Sequence, residues 1–276
     1  MLRINLLIST INEGIERVSN LLQEPKPGIS YIIIHQYTAE GRPSIPEILL
    51  REDVRIIQIP GKGLSISRNE AIKAADGDIA IIADDDVTYL NESFEIVRKA
   101  FEENQNADVI CFKIKTLDGE QEYKKYPKEQ YCINIKKKHY ISSIEISFRI
   151  SSIRNANILF DERFGIGSEN LPAGEEQAFI GDCIHKNIKV YYCPEYYIIH
   201  PYLSSAKINL GFSKENIWIL AALSARNSVI LGLIVTVYRV FRLFPALLRN
   251  RQSPITFLKE SFRAIQYIQS TSKNTF

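Results

Sequence analysis

At 276 residues the chain is long enough to bury a full core, as one large domain or as a domain with a smaller appendage. Its 45% hydrophobic and 24% charged content excludes disorder, and 34 Lys and Arg against 32 Asp and Glu leave a net charge of +2, which excludes a global field for nucleic acid. Cys111, Cys132, Cys183 and Cys193 show no C-x-x-C spacing and lie in apolar or strand-like segments, so they read as reduced, buried thiols of a cytoplasmic protein.

The first residues lack the long apolar region and cleavage site of a signal peptide and enter a strand directly. Residues 4–10 and 31–35 are near-continuous apolar runs, the pattern of strands covered on both faces, and residues 14–23 predict the crossover helix between them. A third strand over 54–59 leads into Pro60-Gly61-Lys62-Gly63. Ser67-Arg68-Asn69-Glu70 then fits a capping box, and the following helix carries Ala71, Ile72 and Ala75 inward and stops at Gly77. A strand over 79–83, a helix over 92–103 with Phe94, Val97 and Phe101 on one face, and a strand over 107–114 continue the alternation. This is the pattern of an α/β domain with a largely parallel sheet. Residues 117–138 read as a variable connection or an edge hairpin, and 196–199 as a late strand.

Asp84-Asp85-Asp86 closes the apolar strand 79–83. A row of carboxylates there reads as a site for a hard divalent ion, Mg2+ or Mn2+, with a solvated acidic turn as the alternative. If the chain stays extended, Asp84 and Asp86 project together and Asp85 points away.

Four segments in order carry a resemblance: Ile8-Ser9-Thr10-Ile11-Asn12, Gly63-Leu64-Ser65-Ile66-Ser67-Arg68-Asn69, the Asp triplet, and Gly174-Glu175-Glu176. Over roughly residues 3–200 the chain resembles the nucleotide-sugar glycosyltransferases of family 2, with the GT-A fold. The resemblance implies a catalytic domain over 1–205, its nucleotide-sugar half 1–115 and acceptor half 116–205, followed by a helical extension over 206–276. It implies that Asp86 bridges a metal to the nucleotide diphosphate, with Asp84 beside it through the metal or the ribose and Asp85 as the alternative direct ligand. Arg68 falls in the position that contacts the base or phosphate, and Ser9 and Ile11 line the nucleobase pocket. The second strand departs from the family's paired aspartates, ending Ile34-His35-Gln36-Tyr37, where Gln36 takes their place as an amide donor and acceptor. Glu176, second in the acidic pair after Glu175, corresponds to the catalytic base, with Glu in place of the usual Asp. His200 corresponds to a histidine that completes the metal shell, for which imidazole favours Mn2+. Residues 142–149 and 160–167 match the acceptor side, and a loop around 168–172 is expected to close over the donor.

From residue 207 onward the only acidic residues are Glu215 and Glu260. Arg226, Arg239, Arg242, Arg249 and Arg251 punctuate apolar helical segments, which suits a helix in the membrane interface. A helical hairpin packed on the catalytic domain, or a homodimer contact, is the alternative. The longest uncharged stretch, 227–238, is too short to span a bilayer. The expectation is an inverting, metal-dependent transferase, cytoplasmic or peripheral on the inner face of the membrane. It would move a sugar from a nucleotide donor to a glycan or lipid-linked glycan, with no nucleic-acid partner. The rivals are a sugar-nucleotide-forming nucleotidyltransferase, which lacks its Gly-rich loop here, and a non-catalytic scaffold with a decayed site.

Overall fold

The computed structural model describes residues 1–38, 42–134, 140–202 and 212–271. The expected boundary between residues 205 and 206 lies outside them. The apolar runs become β1 (Ile4–Ile11), β2 (Ile29–Tyr37), β3 (Val54–Pro60) and β4 (Ile79–Asp84), four parallel neighbours in the order β3-β2-β1-β4. Leu6 and Ile8 of β1 face one core layer and Leu7 the other, which is why the run is uninterrupted. The sheet then turns mixed. β8 (Ile146–Arg149) pairs antiparallel with β4, and β6 (Val109–Lys115), β9 (Val190–Ile199) and β5 (Thr88–Tyr89) follow, with β7 (Tyr131–Ile133) against β9.

One face of the sheet is covered by α2 (Ser93–Glu103), through Phe94, Val97 and Phe101, and by a 3-10 helix Asn12–Leu21 in place of the expected α-helix. On the other face lie α1 (Leu64–Ala74), α3 (Ile150–Asn155) and α4 (Glu175–His185), through Ile72, Ile153 and Phe179. Helix α1 begins three residues before Ser67, because the Leu64 amide finds an acceptor in the Ile166 carbonyl, 2.9 Å away. The Ser67 to Glu70 pattern is therefore inside the helix and is not a capping box. Gly77 is not the C-cap either: α1 ends at Ala74, and the Gly77 amide donates to Asn5 Oδ1 at 2.6 Å. Cys111, Cys183 and Cys193 are buried free thiols, but Cys132 is exposed, since the short outer strand β7 turns its middle side chain to solvent.

Helices α5 (Lys214–Ala225), α6 (Val229–Arg249) and α7 (Pro254–Ser270) pack on one another. Phe164 and Leu171 join Ile219 and Ala222 of α5 and Ala264 and Ile265 of α7 in one apolar cluster. At the end of α5, Arg226 donates from Nη2 to Asp161 Oδ2 at 3.0 Å and from Nη1 to Asp182 Oδ1 at 2.7 Å. Asp182 lies on α4, so this buried arginine clasps the C-terminal helices to the helix that opens with Glu175 and Glu176. Arg226→Ala would leave two buried carboxylates short of their cation, and the expected cost is about 3–5 kcal/mol. Urea denaturation would show it as a lowered midpoint at unchanged slope; an unshifted midpoint would mean the clasp is idle.

Candidate active site

The carboxyl ends of β1, β2 and β4 lie along one edge of the parallel block, where this class of fold binds ligands. Strand β4 stops at Asp84, and Asp85 and Asp86 occupy the turn that follows. Regular side-chain alternation stops with it, and the three aspartates have three sets of partners. Asp84 accepts from Arg68 Nη2 at 3.0 Å and from Ser143 Oγ at 3.2 Å, one on each oxygen. Asp85 accepts from Thr10 Oγ1 at 2.6 Å and Arg17 Nη2 at 2.8 Å. Asp86 is the exposed member, with Oδ2 3.7 Å from His200 Nε2. Gly14 permits the close approach around Asp85: a Cβ there would stand 2.5 Å from both Asp85 Oδ2 and Thr10 Oγ1.

Arg68 is only 1% exposed, with its guanidinium over the Phe160 ring at 5.3 Å, so in this structure it is an internal strut. Its planar fork joins Asp84 to Glu175, donating to Glu175 Oε1 at 3.0 Å. Burial disfavours the charge, but Asp84 and Glu175 outweigh it and hold the pKa above the ordinary value. Next to it, Asn69 donates to the Phe160 carbonyl at 2.9 Å and accepts from the Phe160 amide at 2.8 Å, latching α1 to that segment.

Helix α4 starts after Gly174, whose φ of 98° is left-handed; a Cβ there would also press on Ile219 at 3.0 Å. The two glutamates differ sharply. Glu175 is buried and committed to Arg68, its Oε2 unpartnered. Glu176 is half-buried and makes no ion pair among the described residues, and burial, then the neighbouring Glu175 charge, push its pKa up to about 8. A carboxyl with that pKa can gain and lose a proton near neutral pH.

His200 ends the sheet beside Asp86. Its Nδ1 lies 2.7 Å from the Pro201 carbonyl, which assigns a proton to Nδ1 and turns Nε2 toward Asp86, to which it donates when the ring is protonated. The Tyr123 ring meets the imidazole edge-on at 5.8 Å. Burial opposes protonation, yet Asp86 and the Pro201 carbonyl raise the His200 pKa, while the His200 hydrogen bond lowers that of Asp86. Asp86 and His200 can share one cation, because 3.7 Å is less than two metal–ligand bonds of about 2.1 Å each. No group of three His, Cys, Asp or Glu suited to a metal occurs among the described residues.

At the ends of β1 and β2, Ser9 is buried with an unpartnered hydroxyl, Ile11 is exposed, and buried Gln36 is the register partner of Ile11. Buried His35 locks this corner, its Nε2 2.9 Å from the Asn12 carbonyl, while Asn12 Oδ1 accepts from the Thr38 amide at 2.9 Å. The segment expected to close over the donor is tied down in this state: the Gly165 amide donates to the Leu171 carbonyl and the Leu64 amide to that of Ile166, each at 2.9 Å. Thr10, Arg17 and Ser143 were not among the sequence candidates; their closeness in space to the Asp triplet marks them.

The fold is shared with S. aureus TarS, at low identity. The chain matches the crystal structure of TarS 1–349 in complex with UDP with a TM-score of 0.61 at 15% identity, over 98% of this chain and 92% of that one. It matches TarS 1–349 in complex with UDP-GlcNAc with a TM-score of 0.56 at 16% identity, over 81% and 66%. Against TarS itself the TM-score is 0.58 at 15% identity, and the chain spans 44% of that protein's length. No curated protein sequence matches the chain significantly. Residues 8–165, more than half of the sequence, match the family described as Glycosyl transferase family 2, and the chain therefore belongs to that family, as a glycosyltransferase of the GT-A fold.

Proposed function

We propose that this glycosyltransferase is metal-dependent and inverting, and that it moves a sugar from a UDP-sugar onto a hydroxyl of a glycan or lipid-linked glycan in cytoplasmic polysaccharide assembly. The observation that carries the reading is the Arg68 strut: one buried guanidinium fastens the acidic start of α4 to the Asp turn, so proton acceptor and cation turn are held in one frame. Uridine is supported by the UDP and UDP-GlcNAc complexes of TarS, which has the same fold.

In this reading Asp86 and His200 hold Mn2+ or Mg2+. Held there, a divalent cation would supply positive charge against the negative charge that grows on the leaving diphosphate. Ser9, Ile11 and Gln36 border the base, and Asp84 and Asp85, anchored by Arg68 and Arg17, shape the ribose side. Glu176 accepts the proton of the acceptor hydroxyl as its oxygen attacks the anomeric carbon. Glu175 is already bound to Arg68, so a single carboxylate is free to act. That favours direct displacement with inversion over a covalent two-step route.

A thermal-shift series tests this. UDP with Mn2+ should stabilise the wild type, by about 2.7 kcal/mol at a hundredfold excess over Kd, and Asp86→Ala should lose the response. An equal shift without metal, or in Asp86→Ala, would contradict the reading, and so would stabilisation by every nucleoside diphosphate alike.

A further inference from the structure

Helix α6 has an apolar face that stands exposed among the described residues. Gly232, Thr236, Val240 and Leu247 form its inner side, so close at Gly232 that a Cβ would stand 2.4 Å from that of Ala225. At 100° per residue a second face, about 115° round the helix from the first, presents Ile230, Ile234, Val237, Phe241, Phe244 and Leu248. All six are exposed, Ile230 at 71% and Phe241 at 75%. They make one stripe about 27 Å long at 1.5 Å per residue, far beyond the scattered apolar side chains of an ordinary surface.

The charges name what covers it. Residues 227–259 hold five Arg and Lys and no Asp or Glu. Arg242 and Arg249 follow the helix along one margin of the stripe and Arg251 stands at its end, all exposed and without a carboxylate partner among the described residues. A second copy docked stripe to stripe would bring these unpaired cations toward their own counterparts. A spanning arrangement meets a different obstacle. With 21 residues and a mean hydropathy of 1.8, α6 is long and apolar enough to cross a membrane by length and composition. However, Arg239 and Arg242 sit at its middle, where hydrocarbon penalises charge, and its inner side is already packed in protein.

We infer that α6 lies in the plane of an anionic lipid surface, with its stripe in the acyl boundary and Arg242, Arg249 and Arg251 against lipid phosphates. The inference is independent of the donor reading, since it concerns a surface and not the site. Through Arg226 the helices are clasped to α4, so the surface that meets lipid is mechanically continuous with the helix carrying Glu176.

Co-sedimentation of the full chain with phosphatidylcholine vesicles, with and without phosphatidylglycerol, tests it. Binding is expected with the anionic vesicles and about tenfold or more weaker with neutral ones. Ile234→Ser with Phe241→Ser, and separately Arg242→Glu with Arg249→Glu, should each weaken it by about tenfold or more at unchanged Tm, because all four side chains are outside the core. Bound protein should be released by alkaline carbonate. Absence of vesicle binding, or equal binding by the variants, overturns the inference. Resistance to carbonate would put α6 across the bilayer, and a dimer that Phe241→Ser dissociates would give the stripe to a second copy; either result overturns it too.

Discussion

Glu176→Gln is expected to reduce turnover by about 10²–10⁴-fold, the usual scale for a lost general base, while UDP binding is kept and the fold becomes more heat-resistant. The two effects have one cause. Burial and the Glu175 charge lift the Glu176 pKa from 4.5 to about 8. A group whose folded pKa is raised contributes stability that is complete below its unfolded pKa and is lost as pH climbs toward the folded value. Wild type should therefore lose Tm between about pH 5 and 8 relative to the Gln variant, and the two curves should meet near pH 4. Activity runs the other way, because the acceptor proton needs an ionised carboxylate: kcat/KM of the wild type should rise with pH through about 8. Paired thermal melts and pH–rate profiles check both limbs. A Gln variant with wild-type turnover would return Glu176 to a stabilising role at a helix N-terminus.

Arg68→Ala should be among the most destabilising single changes in the chain, by about 3–5 kcal/mol, since it strips a buried cation from Asp84 and Glu175 together. Arg68→Lys should recover little, because one ammonium lacks the planar fork that reaches both carboxylates. Arg68→Met combined with Glu175→Gln should recover more, as it removes a stranded charge at similar volume. Urea midpoints across the three variants read this directly. Arg68 also restrains the Glu176 pKa, so a folded Arg68→Ala variant, which keeps Glu175, should shift the pH–rate limb further upward. A fall in activity without change in the midpoint would instead place the guanidinium against the donor.

The features legible in the sequence are those written locally. Strands β1, β2 and β4 show as apolar runs because they are buried on both faces, and the Glu175 and Glu176 pair stands where α4 opens. Roles set by distant partners were illegible. Arg68 occupies its motif position, but its partners Asp84 and Glu175 lie 16 and 107 residues away, and only folding shows that they enclose it. Ser67 to Glu70 imitates a capping box, yet a long-range bond from Leu64 to Ile166 starts the helix earlier. Alternation along β4 says nothing of Asp85 and Asp86 for a similar reason: the rule holds only while the strand continues, and β4 ends at Asp84. Arg17, which completes the partners of Asp85, carries no local mark at all, and Ser143 shows only as part of a longer matching segment.

One comparison bears on the whole site: UDP-sugar binding and UDP release by wild type, Asp86→Ala and Glu176→Gln, each with and without Mn2+. Wild type should bind and turn over only with metal, Asp86→Ala should do neither, and Glu176→Gln should bind like wild type without releasing UDP. Metal-independent turnover, or undiminished release by Glu176→Gln, would contradict a site built from a cation turn and a separate proton acceptor.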